Sequence, residues 1–325
     1  MNSDLDSETR SRELRDAVLD LRSQLGSRFV GQDSLVDNVI AAILARGHVL
    51  LEGGPGLGKT LLVKLVAKLL GLQVQRIQFT PDLMPSDILG GQILETTPDG
   101  PTTRFEPGPI FTQVLLADEI NRANPRTQSA MLEAMAEGQV TLGGQTQVLE
   151  QPFFVLATNN PIEMEGTYPL PEAQADRFLL KIIVNAPDRG TLIRILDVTP
   201  NDALETAEPI LNSTTLLAFQ EHVRHMPTST RIKELVADII LATQPDSEAV
   251  DGRKWIKLGA SPRAAQGLLA ASKARAAMSG RLHVTEDDVR SMASVALSHR
   301  LVLDYGARIG GVSPSDVVAD ILKRV

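Results

Sequence analysis

The sequence predicts an α/β fold in which a parallel sheet is covered by helices and is followed by a smaller, all-α domain. Short apolar runs alternate with helical patterns, as is typical of strands that are buried on both faces of a parallel sheet. A glycine-rich loop lies between the first apolar run and a helix. After residue 187 the short runs stop and longer helical patterns follow. These observations assign the sheet to the N-terminal part of the chain.

Two helices are predicted before the first strand. Apolar residues recur at helical spacing from Leu14 to Leu25 and predict a first helix over residues 12–26, which ends near Gly26. A second helix is predicted over roughly residues 34–45. Both precede the apolar run that contains the first strand.

Five short apolar runs are predicted to form the parallel sheet. They lie at residues 48–54, 74–79, 114–118, 153–158 and 181–184. A helix over residues 60–71 follows the first run and is closed by Gly71. Strand, loop and helix therefore succeed one another at the start of the sheet.

A stretch rich in proline and glycine follows the second run. Its turn-forming residues are too frequent for one long helix, and we interpret residues 80–111 as a hairpin-like insertion. Beyond residue 187, helices are predicted at residues 232–244, 262–280 and 285–300. The sequence thus predicts two domains, at residues 1–187 and 188–325.

The composition limits the classes of function. Lys and Arg number 32 and Asp and Glu number 40, which gives a net charge of −8, and with no basic run we expect no nucleic-acid partner. Aromatic residues make up only 3%, too few for base-stacking platforms. The absence of cysteine excludes disulfides and thiolate metal sites and favours a reducing compartment. No long apolar run or signal peptide is evident, so we expect a cytoplasmic protein without membrane insertion.

The segment GGPGLGKT at residues 53–60 matches the phosphate-binding pattern G-x-x-x-x-G-K-[ST] in the required context of strand and helix. Its glycines let backbone N–H groups surround phosphate oxygens at the positive end of a helix. Lys59 is expected to contact the β- and γ-phosphates of ATP, and Thr60 to bind Mg²⁺. A glycine-rich turn without a ligand is the alternative. The predicted nucleotide-binding residues are Gly53, Gly54, Pro55, Gly56, Leu57, Gly58, Lys59, Thr60 and Leu61.

Two adjacent carboxylates, Asp118 and Glu119, end the third apolar run. The carboxyl ends of parallel strands face the crevice that holds the ligand. Asp118 is therefore predicted to bind Mg²⁺, through water, and Glu119 to act as the general base on the attacking water. The alternative is an ordinary solvated strand end.

Asn159 and Asn160 end the next run. An amide in this position can donate a hydrogen bond to the γ-phosphate or the attacking water, although paired asparagines are also common in turns. Either asparagine is therefore a candidate for sensing the third phosphate.

Two arginines are candidates for phosphate contacts. Arg177 lies just before the last strand, where it could reach a phosphate or form a surface ion pair with Asp176 or Glu172. Arg263 lies in the first turn of a helix, where the helix dipole disfavours a cation, so we expect an anionic partner such as ATP bound between the domains.

The chain resembles the MoxR family of AAA+ ATPases over about residues 12–325. The resemblance is carried by the blocks GGPGLGKT, LLADEINRA, TQSAMLEAM, VLATNNPIEMEGTYPLPEAQADRF and GASPRA, in this order. It implies a P-loop AAA+ core, a helical lid domain and ring oligomers, commonly hexamers. The implied roles are Lys59 and Thr60 in Walker A, Asp118 and Glu119 in Walker B, Asn160 as sensor 1, Arg177 as arginine finger and Arg263 as sensor 2.

Two positions depart from the family pattern. Asn159 stands where the family usually has glutamine, which leaves sensor 1 open between Asn159 and Asn160. Ala175 replaces a leucine, a change expected to affect packing. Residues 80–111 resemble the helix 2 insertion of this branch, which would contact the remodelled substrate.

The resemblance implies an ATPase that uses ATP and Mg²⁺ to remodel or mature partner proteins, in the manner of a chaperone. Partners with a von Willebrand factor A domain are common in the family. One alternative is the motor subunit of a magnesium-chelatase-like metal-insertion complex. A nucleic-acid motor and a nucleotide-gated scaffold are further alternatives, which the acidic charge and the intact Walker B residues disfavour.

Overall fold

The computed structural model describes residues 2–97, 100–142, 144–161, 167–197, 204–246 and 255–325. The strands in these residues are β1 Val49–Glu52, β2 Val74–Gln78, β3 Gly90–Thr97, β4 Gly100–Pro107, β5 Val114–Asp118, β6 Gln139–Leu142, β7 Gln145–Val148, β8 Phe154–Asn159, β9 Leu180–Ile183, β10 Ile256–Leu258 and β11 Val302–Leu303. The helices are α1 Asn2–Arg28, α2 Asp33–Leu44, α3 Lys59–Leu69, α4 Pro85–Leu89, α5 Pro125–Glu137, α6 Glu172–Ala175, α7 Arg189–Leu196, α8 Ser213–His225, α9 Thr230–Ala242, α10 Pro262–Met278, α11 Glu286–Leu297, α12 Tyr305–Ile309 and α13 Pro314–Arg324.

The central sheet has five parallel strands in the order β2-β5-β8-β1-β9. These are the five predicted apolar runs, and the observed strands differ from them by a few residues at their ends. Because all five strands run in one direction, their carboxyl ends share one edge, which carries Glu52, Asp118 and Asn159. The predicted α/β fold with a parallel sheet is confirmed.

Both faces of the sheet are buried, which explains the continuous apolar runs. Leu115 and Ala117 of β5 pack in a cluster with the apolar side of α5. Val114 and Leu116 of the same strand join the larger cluster on the other face, which includes residues of α1, α2, α3 and the C-terminal helices. Alternate side chains of a strand point to opposite faces, so one short run supplies both cores.

The first helix is longer than predicted. It spans Asn2–Arg28 and not residues 12–26. Its first turns carry few apolar residues, so hydrophobic spacing gave no signal there, yet buried Ser11 contacts His222 of α8 through a hydrogen bond of 2.8 Å. Gly26 does not end the helix, because a helical glycine costs only about 1 kcal/mol and Leu25 beside it is buried.

The insertion at residues 80–111 contains the expected hairpin, formed by antiparallel β3 and β4 after the short helix α4. Gly90 lies at its base with a φ of +84°, and a Cβ there would lie 2.2 Å from the carbonyl oxygen of Glu106. Only glycine permits this close approach. A second hairpin, β6 and β7, was not predicted.

Helices dominate the chain after β9, as predicted. Ser261 caps α10 by accepting a hydrogen bond from the backbone N–H of Ala264. One small antiparallel pair, β10 and β11, also lies in this region, which differs from an entirely helical domain. The division at residue 187 falls between β9 and α7 and stays a prediction. No helix in the described ranges is long and apolar enough to cross a bilayer.

Candidate active site

The glycine-rich loop between β1 and α3 is shaped by backbone conformation and by packing. Gly56 and Gly58 have φ values of +76° and +77°, which favour glycine. A Cβ on Gly58 would also lie 2.8 Å from Phe29 Cε2, and one on Gly53 would lie 2.6 Å from the carbonyl oxygen of Val184. The pattern of glycines therefore has a steric reason at these positions.

The loop forms one wall of a cleft of about 400 Å³ at the carboxyl edge of the sheet. We call it the phosphate cleft; it is lined by Pro55, Gly56, Leu57, Gly58, Lys59, Thr60, Leu61, Asp118, Glu119 and Asn160. Gly53 and Gly54 do not line it, but their carbonyl oxygens accept hydrogen bonds from Lys59 Nζ, at 2.5 and 3.2 Å. The fold thus gathers residues from three separate sequence motifs.

Lys59 is a partly buried cation in this cleft. Burial lowers the pKa of its ammonium group, and the nearby carboxylates of Asp118 and Glu119 act in the opposite direction. Its Nζ donates hydrogen bonds to the loop carbonyl oxygens of Gly53 and Gly54. The loop therefore keeps a positive charge beside the backbone N–H groups of an anion-binding helix terminus.

Asp118 is held by groups from both neighbouring strands. Its Oδ1 accepts a hydrogen bond from Thr158 Oγ1 of β8 at 2.7 Å, and its Oδ2 accepts one from Arg76 Nη2 of β2 at 2.6 Å. Thr158 Oγ1 in turn accepts from the backbone N–H of Glu119 at 2.8 Å. Thr158 and Arg76 were not among the predicted site residues, because only the pairing of β2 and β8 with β5 brings them to Asp118.

Glu119 has an unusual backbone conformation for a residue with a side chain, with φ of 57° and ψ of 51°. Left-handed conformations cost about 1–2 kcal/mol outside glycine, so the surrounding bonds must hold it. Its Oε2 accepts hydrogen bonds from Gln78 Nε2 at 2.8 Å and from Arg122 Nη1 at 3.0 Å. Strained conformations of this kind concentrate at functional sites.

The two candidate asparagines have different surroundings. Asn160 is buried and lines the phosphate cleft. Asn159 instead donates a hydrogen bond of 3.1 Å to Glu52 Oε2, which also pairs with Lys181 at 2.8 Å. Of the two asparagines, Asn160 alone lines the phosphate cleft.

Neither predicted arginine lines the phosphate cleft. Arg177 donates a hydrogen bond to the carbonyl oxygen of Leu132 in α5, and in the described part of the chain it forms no ion pair with Asp176 or Glu172. Arg263 is exposed in the first turn of α10 and makes no hydrogen bond or ion pair with another described residue. The structure therefore separates both arginines from the other candidate residues.

A second, apolar cleft of about 250 Å³ adjoins the phosphate cleft. We call it the apolar cleft; it is lined by Arg28, Phe29, Val30, Gln32, Gly56, Leu57, Gly58, Leu61, Pro187, Leu192 and Ile195. Four loop and helix residues, from Gly56 to Gly58 and Leu61, line both clefts. Three segments that are distant in the sequence build this cleft, so no local pattern predicts it.

Comparisons with known proteins agree with this architecture. Residues 48–180 match the family described as "ATPase family associated with various cellular activities (AAA)", and residues 253–321 match the AAA lid domain. The chain is 43% identical over 301 residues to Chaperone MoxR1 of Mycobacterium tuberculosis, a match that covers 91% of this chain and 78% of that protein. It is 42% identical over 299 residues to the uncharacterized protein YeaC of Bacillus subtilis, with coverage of 91% and 90%.

A solved structure gives the same result. The fold superimposes on the crystal structure of a candidate ATPase from Cytophaga hutchinsonii with a TM-score of 0.88 and 35% identity, covering 100% of this chain and 99% of that one. Matches of this extent and identity show the family as well as the fold. The chain belongs to the MoxR family of AAA+ ATPases.

Proposed function

We propose that the protein binds ATP with Mg²⁺ and hydrolyses it. The observation that carries the proposal is the junction of the two clefts, which share the loop residues from Gly56 to Gly58. An apolar cleft suits an adenine base, and a polar cleft with a lysine suits phosphates. A mononucleotide with several phosphates is the ligand class that fits both.

The residues of the phosphate cleft also suit Mg²⁺. Thr60 and Asp118 present oxygen donors to one space, and oxygen is the ligand atom that this ion prefers. Among the described residues no group of three or more His, Cys, Asp or Glu side chains could hold a metal alone. Phosphate and water would complete the shell, as is usual for this ion, which would neutralise charge on the phosphate oxygens.

Glu119 and Asn160 are the proposed groups for the attacking water. The Glu119 carboxylate takes the proton, and Asn160 orients the water or the γ-phosphate with its amide. Gln78 and Arg122 hold the Glu119 carboxylate, and this pre-organisation limits the loss of side-chain freedom during the reaction.

We further propose that identical subunits form a ring, a hexamer, in which Arg177 serves the phosphate cleft of the neighbouring subunit. Support comes from its absence from the lining of the phosphate cleft of its own chain and from its hydrogen bond to the Leu132 carbonyl oxygen in α5. Arg263 is proposed to contact the nucleotide of its own subunit when the lid closes. Arg263 is exposed and has no ion pair within the part of the chain that the structure describes, and the first turn of a helix is a favourable place for an anion.

The energy of hydrolysis is proposed to serve the remodelling of partner proteins in the cytoplasm. The relative named Chaperone MoxR1 supports this function. The hairpin β3–β4 exposes Ile93 and Leu94, the latter 74% accessible, and such apolar side chains can contact a client. A partner with a von Willebrand factor A domain fits the family resemblance, and the cysteine-free composition fits a reducing compartment.

The proposal is tested by phosphate release and by the rise in melting temperature that ATP and Mg²⁺ produce. Lys59→Ala should lose both, because the lysine supplies the point charge that the phosphates need. Lys64→Ala is the matched control, since Lys64 lies on the same helix, is exposed and does not line the cleft. A Lys59→Ala protein that keeps its ATP-dependent stabilisation would contradict the proposed phosphate site.

A further inference from the structure

Arg300 lies buried between the C-terminal helices and the segment that carries Arg177. Its side chain is 4% accessible. Its Nε donates a hydrogen bond of 2.6 Å to Asp176 Oδ1, and its Nη2 donates one of 2.9 Å to the carbonyl oxygen of Phe178. One guanidinium therefore holds the residues on both sides of Arg177.

The same guanidinium is anchored in α11. Arg300 Nη1 donates a hydrogen bond of 2.5 Å to the carbonyl oxygen of Ala296. His299 Nε2 lies 3.0 Å from the Phe178 carbonyl oxygen, which accepts a second hydrogen bond there. Burial and the Arg300 charge lower the pKa of His299 to about 3, so its ring is a neutral donor at physiological pH.

Asp176 also connects to the helix that bears Arg263. Its Oδ2 accepts a hydrogen bond of 3.3 Å from Ser261 Oγ, and Ser261 is the N-cap of α10. One turn beyond Arg263, a Cβ on Gly267 would lie 3.4 Å from Arg300 Nη1, so the helix packs against the guanidinium at this point. Asp176 thus bridges Arg300 and the start of α10.

The charges make this contact difficult to replace. Burial lowers the pKa of Arg300, and the carboxylate of Asp176 opposes that shift. Arginine stays protonated in proteins, so its buried charge requires a carboxylate partner with matching geometry. The pair is therefore expected to move as a unit with the helices that hold it.

From these contacts we infer that Arg300 and Asp176 form a clamp that positions Arg177 from the lid. The inference rests on the proposed function, in which Arg177 completes the site of the neighbouring subunit and Arg263 contacts the nucleotide bound by its own subunit. The helix α10 carries Arg263, and its N-cap residue contacts Asp176. Closure of the lid on the nucleotide of one subunit therefore changes the position of the Arg177 that this subunit presents to its neighbour. Arg300 is a positioning residue in this scheme and contacts no substrate.

The test uses rings mixed from two full-length variants. The donor carries Glu119→Gln, so its own hydrolysis is slow, but it supplies Arg177. The acceptor carries Arg177→Ala, so it keeps Glu119 but needs Arg177 from a neighbouring donor subunit. Phosphate release by the mixture then reports the arginine of the donor in the site of the acceptor.

Asp176→Asn keeps the shape of the side chain and removes its charge. Added to the donor, it should reduce phosphate release by the mixture toward the level of a donor that lacks Arg177, about 10³-fold lower. Added to the acceptor, whose finger is already absent, it should have a much smaller effect, because there it can act only through Ser261 and the start of α10. Asp37→Asn in the donor is the control, because Asp37 also pairs with α10, at 3.1 Å from Arg275, but away from Arg177.

A general loss of stability would affect donor and acceptor alike, so equal losses in both positions would overturn the clamp. Full phosphate release with the Asp176→Asn donor would overturn it as well. Arg263→Ala in the donor tests the link to the lid, and we expect a reduced release. Unchanged release with that donor would refute transmission through α10.

The failure of the proposed function gives a different result. If donor and acceptor without further changes release no phosphate in mixed rings, Arg177 does not act between subunits, and the clamp falls with that proposal. If the unmodified mixture is active and the Asp176→Asn donor is equally active, only the clamp is refuted.

Discussion

The carboxylates of the phosphate cleft and the two arginines differ in whether other side chains of the same chain bind them. Asp118 and Glu119 each accept hydrogen bonds from neighbouring side chains at the carboxyl edge of the sheet. Arg177 reaches a backbone carbonyl outside the cleft, and Arg263 has no hydrogen bond or ion pair among the described residues. The fold thus holds the two carboxylates through side chains, whereas Arg177 is bonded to a backbone carbonyl and Arg263 is exposed.

The difference follows from the architecture. The end of β5 lies between β2 and β8, so Arg76, Gln78 and Thr158, which bond the two carboxylates, belong to the same sheet. Arg177 follows the short helix α6, and Arg263 belongs to a helix of the lid. Residues on a lid and a connecting segment can change position without disrupting the sheet.

Glu119→Gln should produce the largest change on the cleft side. The amide keeps the shape but cannot accept a proton, so we expect kcat for ATP hydrolysis to fall by about 10²–10⁴-fold. ATP should still raise the melting temperature, because the loop and Lys59 are intact. Glu133→Gln, an exposed residue of α5, is the control, and undiminished phosphate release by Glu119→Gln would exclude the general-base assignment.

A fall in pH should lower the stability of the folded chain as a whole, and so affect both regions together. His48 is fully buried; its Nδ1 accepts the backbone N–H of Val155, and its Nε2 donates to the Met135 carbonyl oxygen at 3.2 Å. Burial lowers its pKa to about 4. The unfolded chain binds this proton below pH ~6.5 and the folded chain does not, so the free energy of unfolding falls as pH drops from about 6.5 to about 4.

The loss at the lower end of this window should be on the order of 3 kcal/mol for His48 alone. Urea denaturation at several pH values measures it. His48→Gln should reduce the pH dependence, whereas His283→Gln, at an exposed position of the lid, should leave it unchanged. An identical pH slope in the His48→Gln protein would contradict the buried neutral imidazole.

The smallest effect is expected in the apolar cleft. Leu192 lines it while 49% exposed, and Leu192→Asp should weaken ATP binding by about tenfold, or 1.4 kcal/mol, by removing an apolar contact with the base. Binding of inorganic tripolyphosphate should not change, since it has no base. Ile193→Asp is the matched control, because Ile193 is 47% exposed on the same helix and does not line the cleft. If Leu192→Asp weakened the binding of ATP and of tripolyphosphate equally, this would argue against a base in the apolar cleft.

Those parts of the site that are formed by consecutive residues could be predicted from the sequence. The loop from Gly53 to Thr60 and the pair Asp118 and Glu119 are read from consecutive residues. Thr158 and Arg76 could not be found this way, because they meet Asp118 only through the strand order β2-β5-β8. The apolar cleft joins three distant segments and was missed for the same reason.

The fold shows a similar limit. The parallel strands were predicted because burial on both faces makes each one a continuous apolar run. Strands β10 and β11 have three and two residues, which is too short for any periodic signal. The start of α1 is polar, so its extent depends on contacts with α8 that the sequence pattern does not contain.

Mixing the Glu119→Gln and Arg177→Ala proteins tests the central claim most directly. Each variant alone should hydrolyse ATP at least roughly 10²-fold more slowly than the unchanged protein. In mixed rings, each intact phosphate cleft of an Arg177→Ala subunit can receive the arginine of a Glu119→Gln neighbour, so phosphate release should be partly restored. Verified mixed rings with no restored hydrolysis would contradict a site completed by the neighbouring subunit.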